Sequence, residues 1–108
     1  MSGICLDGTK PNEGSSDPNN FYKLTIEEQN NLRIWVARNF DPIKKYNMRH
    51  SSYGLKHIYE YDTKKYVDNG TFKGAMLAEG YEPHDPEARN WRFKISERSR
   101  AFTLGTMG

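Results

Sequence analysis

The sequence predicts an α+β domain of winged-helix layout, a three-helix helix-turn-helix core followed by a C-terminal β-hairpin. Three features point there. An amphipathic stretch opens on a capping signal at Thr25, two shorter apolar stripes follow across a tight connector, and Trp91-Arg92-Phe93-Lys94-Ile95 alternates apolar with basic. The expected bounds are a disordered N-terminal tail over residues 1–22, a winged-helix-like domain over 23–96 and a mobile C-terminal tail over 97–108.

The tail expectation rests on composition. From Met1 to Asn20 the chain is mostly Gly, Ser, Asn, Pro and Asp, with little apolar surface to offset the entropy of ordering it. Structure is expected to begin at Leu24-Thr25-Ile26-Glu27-Glu28, where the Thr25 hydroxyl and the Glu28 carboxylate can each satisfy a free amide of the first turn. Leu32, Trp35, Val36 and Phe40 then recur at helical spacing, and Asp41-Pro42 ends the helix because the proline ring disfavours α geometry at the residue before it.

Ser51 or Ser52 can cap a second helix with a Leu55, Ile58, Tyr59 stripe. Asp68 or Asn69 can cap a third with Phe72, Ala75, Met76 and Leu77 inward and Thr71, Lys73, Gly74 and Glu79 outward, ended by Gly80 in left-handed geometry. Asn69-Gly70 also reads as a turn. The alternation at Trp91, Phe93 and Ile95 predicts a strand with one buried and one basic face, pairing with a short strand near Tyr81.

The net charge of the 108 residues is only +2, but its distribution is uneven: residues 41–108 hold twelve Lys/Arg against nine Asp/Glu. Lys44, Lys45, Arg49 and Lys56 form a cluster with no acid between Asp41 and Glu60, and a second cluster runs from Arg89 to Arg100. In a winged helix-turn-helix these fall where the second helix and the wing touch phosphates. The candidate nucleic-acid-binding residues are therefore Lys44, Lys45, Arg49, Ser51, Ser52, Lys56, Lys73, Arg92 and Lys94. The expected third helix offers little for reading bases, so sequence-specific binding is not expected. The alternative is a helical domain whose charges only keep it solvated.

Other functions are expected to be absent. One cysteine, Cys5, gives no intrachain disulfide and no cysteine-rich metal site, and His50, His57 and His84 match no ligand spacing. No family pattern frames a nucleophile, so no catalysis, metal or cofactor is expected. No apolar run spans a bilayer, and the N-terminus has no leader-like stretch. A cytoplasmic setting is expected, with a partner or a homodimer contact supporting a small core.

Ser51-Ser52-Tyr53-Gly54-Leu55-Lys56-His57, Asn69-Gly70-Thr71-Phe72-Lys73-Gly74-Ala75-Met76-Leu77 and Asn90-Trp91-Arg92-Phe93 resemble strings in short accessory proteins of bacteriophages and mobile elements. That resemblance, over residues 25–96, implies a bacterial host cell. It also implies either DNA binding or interference with a host nucleic-acid enzyme of defence, including anti-CRISPR activity.

Overall fold

The computed structural model describes residues 12–104. Two short 3-10 turns, η1 (Gly14–Ser16) and η2 (Pro18–Lys23), precede α1 (Ile26–Asn39), α2 (Ser52–Thr63), α3 (Asn69–Ala78) and the short α4 (Ala101–Leu104). Helix α1 starts where the sequence says it should. The Thr25 hydroxyl accepts from the Glu28 amide at 3.1 Å and the Glu28 carboxylate accepts from the Thr25 amide at 3.0 Å. Leu32, Trp35 and Val36 point inward, and Phe40 follows them into the core from an extended C-cap. The Asp68 carboxylate caps α3 by accepting from the Thr71 amide at 2.7 Å. At the other end Gly80 takes φ 94°, and the Tyr81 and Gly80 amides donate back to the Met76 and Leu77 carbonyls in a Schellman closure.

The centre of the molecule is α3, and here the expectation of an exposed recognition face fails. Every residue from Asn69 to Met76 is buried, including Thr71, Lys73 and Gly74, while Leu77 is exposed. Asn69-Gly70 is its first turn and not a loop. The cover comes from residues expected to be a disordered tail. η1 and η2 lie directly against α3, with Phe21 only 1% exposed, so the disordered stretch is corrected for residues 12–22; residues 1–11 lie outside the described residues. Gly70 and Gly74 make this approach possible. A Cβ on Gly70 would collide with the Asp17 backbone, and one on Gly74 with the Pro18 carbonyl and the Phe21 side chain.

The C-terminal β-hairpin is also corrected: the described residues contain helices and no β-strand or sheet, so there is no wing. Trp91, Phe93 and Ile95 do alternate inward, yet the backbone of this stretch pairs mainly with the loop over residues 41–52, and the region after Tyr81 adds one bond, from the His84 amide to the Arg92 carbonyl at 2.9 Å. The Ile43, Asn47 and Ser52 amides donate to the Lys94, Phe93 and Trp91 carbonyls at 3.0, 2.8 and 2.7 Å. Only Pro42 and Ile95 form an isolated antiparallel bridge. Pro42 has no N–H to extend a ladder, and the Asn47 side chain turns the loop by accepting from the Arg49 amide, so no strand pairs regularly. The Tyr81 amide is already engaged in closing α3.

The domain also continues past residue 96, which corrects the mobile tail over its described part. The Ser99 hydroxyl accepts from the Asp41 amide at 2.9 Å, Arg100 donates to Asn39 at 2.7 Å, and Ala101 is fully buried. Phe102 stacks on His50 at 4.1 Å and leans on Phe40.

Candidate nucleic-acid interface

Three of the nine expected phosphate ligands are buried and engaged, so they are not available as predicted. Ser52 is 0% exposed, donates to the Asn69 side-chain oxygen at 2.8 Å and accepts from the Trp91 amide at 3.0 Å. The Asn69 amide nitrogen donates in turn to the Arg89 carbonyl and the Asn90 side chain, both at 3.0 Å. Lys73, also 0% exposed, donates from Nζ to the Ser16 and Arg89 carbonyls at 2.9 and 2.8 Å and to the Asn12 side-chain oxygen. Its ammonium lies 4.4 Å from the centre of the Trp91 ring. No carboxylate pairs with it among the described residues. Burial, with repulsion from Arg89 second and only Asp17 opposing, pushes the amine down from 10.5 to about 8. These residues tie the N-terminal turns, α3 and the segment before Trp91 together.

Lys56 is the third. Its ammonium pairs with Glu60 at 3.0 Å and sits over the rings of Tyr53 and Tyr66. Burial pushes the Glu60 carboxyl up, but the Lys56 ammonium, the Val67 amide and His57 outweigh it and hold the carboxyl below its usual range. Ser51 is the half-buried N-cap of α2 and makes no capping hydrogen bond with its side chain.

The other five expected residues come together. The backbone bonds between residues 43–52 and 91–94 set Lys44, Lys45 and Arg49 alongside Arg92 and Lys94 in two adjacent segments. Arg92 reinforces the seam by donating from Nε to the Met48 carbonyl at 3.0 Å. None of the five forms an ion pair among the described residues. The nearby Glu97 is already occupied, accepting from the Asn47 side-chain nitrogen at 2.7 Å and pairing with His50 at 3.0 Å. The Asn47 bond is the main reason its carboxyl is held low; slight burial opposes this, and His50 and Arg49 add to it.

One aromatic residue on this ridge was missed in the sequence. Tyr46 meets the His84 ring edge-on at 4.9 Å, and the Lys94 ammonium lies 5.0 Å from its centre. An exposed cation–π contact of this kind contributes only about 0.5–1 kcal/mol, so the amine is easily drawn away. Tyr46 also lines an open cleft of about 330 Å³ with Ile43, Lys94, Tyr81, Glu79 and Glu82. Glu79 is paired with Arg33 at 2.6 Å, and the Tyr81 hydroxyl donates to the Phe40 carbonyl at 3.3 Å. The sequence signal for Tyr46 is the run Lys44-Lys45-Tyr46, cations followed by a ring.

Among the described residues no group of three His, Cys, Asp or Glu side chains is placed to hold a metal ion, and no helix is long and apolar enough to cross a membrane. No protein-family profile, curated protein or solved structure matches the chain at a significant level.

Proposed function

We propose that this protein binds nucleic acid through the ridge built by residues 41–51 and 91–96, with Lys44, Lys45, Arg49, Arg92 and Lys94 meeting phosphates. The observation that supports this reading is the gathering of five cations by long-range backbone bonds with no ion-pair partner on any of them among the described residues. Arg33 and Lys56, by contrast, have their carboxylates beside them. An unpaired cation keeps its charge for a phosphate and releases a counterion on binding.

With no wing and a buried α3, contact is to backbone rather than to base edges in a major groove. Five phosphate contacts give a log–log salt slope of about −3.5 to −4.5, a loss of roughly a hundredfold or more between 50 and 200 mM salt. Fluorescence anisotropy of a labelled oligonucleotide across that range tests it. Salt-insensitive binding, or affinity unchanged in a K44A/K45A/K94A variant, overturns it.

A second reading has support from the same surface. Ile43 and Met48 are 42% and 51% exposed among the cations, which suits a protein partner, such as a host nucleic-acid enzyme whose phosphate-binding or acidic surface the ridge would occupy. It predicts capture of a protein from bacterial lysate that survives nuclease treatment, with little affinity for bare nucleic acid.

A further inference from the structure

We propose that the ridge prefers single-stranded over double-stranded nucleic acid and takes one unstacked base into the cleft beside Tyr46. This rests on reading the ridge as a phosphate-binding surface. Duplex sequence is read by a helix or a two-stranded ribbon entering a groove, and the ridge presents neither. Its segments are an irregular loop and an extended stretch joined by scattered backbone bonds and one isolated bridge rather than by a strand ladder, and α3 is enclosed by η1, η2, α1 and α2. A surface of cations interleaved with a partly exposed ring is the arrangement that tracks a single strand, phosphates on the cations and a base on the ring.

The geometry supplies both halves at one point. Lys94 belongs to the ridge and also covers the face of Tyr46 at 5.0 Å, so a base that stacks there displaces its ammonium toward the adjoining phosphate. The cleft behind Tyr46, at about 330 Å³, lies at the small end of ligand pockets and suits one base rather than an extended ligand. Its polar lining favours some bases over others. Glu82 is exposed and presents a carboxylate, while the Tyr81 hydroxyl is engaged with the Phe40 carbonyl. Once the Lys94 ammonium has moved to the phosphate, the Glu82 carboxylate remains in the lining as a free acceptor, which favours a base with an exocyclic amino group, adenine, cytosine or guanine, over thymine.

The test is anisotropy with labelled oligo(dA), oligo(dC), oligo(dT) and a mixed-sequence duplex of equal length at one fixed salt concentration, on the full chain and its Tyr46→Ala and Tyr46→Phe variants. The single strands should bind about tenfold tighter than the duplex, with oligo(dA) and oligo(dC) severalfold above oligo(dT). Tyr46→Ala should cost about tenfold on single strands and little on the duplex, the size expected for one lost stacking contact, while Tyr46→Phe should bind like the parent. Thermal melts confirm that both variants fold. Equal affinity for duplex and single strands, or a folded Tyr46→Ala variant that binds like the parent, overturns the inference and leaves the ridge standing. Failure of all four probes to bind overturns the ridge reading and this inference with it.

Discussion

Lys73 and Lys94 each hold an ammonium over an aromatic ring, 4.4 Å from the centre of Trp91 and 5.0 Å from that of Tyr46, and yet the two amines have opposite fates. Lys73 is enclosed by the N-terminal turns and held by the Ser16 and Arg89 carbonyls and the Asn12 side chain, so its charge is consumed by the structure. Lys94 stands on an exposed edge over the ring with no ion-pair partner among the described residues, so its charge is not consumed there. The same chemistry thus serves cohesion in one region and, on the proposed reading, recognition in the other. What differs is only which segment folds over the amine.

If α3 is the structural hub and the ridge is functional, substitutions in the two regions should affect different measurements. The largest effect is expected at Phe72, which is fully buried and meets the rings of Trp35, Phe40 and Tyr59. Phe72→Ala should lose about 3–5 kcal/mol in urea unfolding, a large part of the stability of a domain this size.

Glycines sharpen the same contrast through the sign of the change. Alanine normally gains about 1 kcal/mol over glycine inside a helix. At Gly74 the new methyl meets the Pro18 carbonyl and Phe21, so Gly74→Ala should instead lose about 1–3 kcal/mol. At Gly54, in the first turn of α2 with open space around it, the same change should gain about 0.4–1 kcal/mol. A stabilised Gly74→Ala variant would show that the N-terminal turns do not pack against α3.

The pH dependence isolates Lys73. Because its pKa falls from 10.5 unfolded to about 8 folded, the unfolded chain holds more protons between those values. Stability from this group is therefore present above 10.5 and lost as pH falls through about 8. Relative to a Lys73→Met variant, the parent should gain stability from pH 8 to 10, read by urea midpoints at matched pH. Above about 10 the Tyr59 and Tyr81 phenols, both raised chiefly by burial, oppose it in parent and variant alike. Their folded pKa values exceed 10.0, so their contribution is present below that pH and lost as pH climbs through the folded values.

The smallest stability effect belongs to the ridge. Lys44→Ala with Lys45→Ala should change stability by no more than about 0.5 kcal/mol. It should nevertheless reduce the magnitude of the salt slope for nucleic-acid binding by about 1 for each phosphate contact removed. A large stability loss there would mean that these lysines hold the loop together.

Local signals were legible. The Thr25 and Glu28 capping pair, the stop at Asp41-Pro42, the cap at Asp68 and the left-handed Gly80 all act within a few residues, and each stands where the sequence predicts. The alternation of Trp91, Phe93 and Ile95 also reported burial correctly, but alternation says only which side chains turn inward. It does not say whether the backbone finds a strand, and here it found a loop whose proline and Asx turn prevent one. Gly70 and Gly74, four apart on one helix face, were the available sign that another backbone crosses α3.

The amino-acid sequence alone set where the long helices begin and end and which aromatic side chains between Trp35 and Phe93 build the core, because those outcomes depend on near neighbours and on hydrophobic period. Only the tertiary structure decided that a polar N-terminal stretch would cover α3, that Lys73, Ser52 and Lys56 would be enclosed, and that five other cations would form no ion pair among the described residues. The free energy of a buried polar group depends on partners distant in the chain, and no local pattern encodes which of them will arrive.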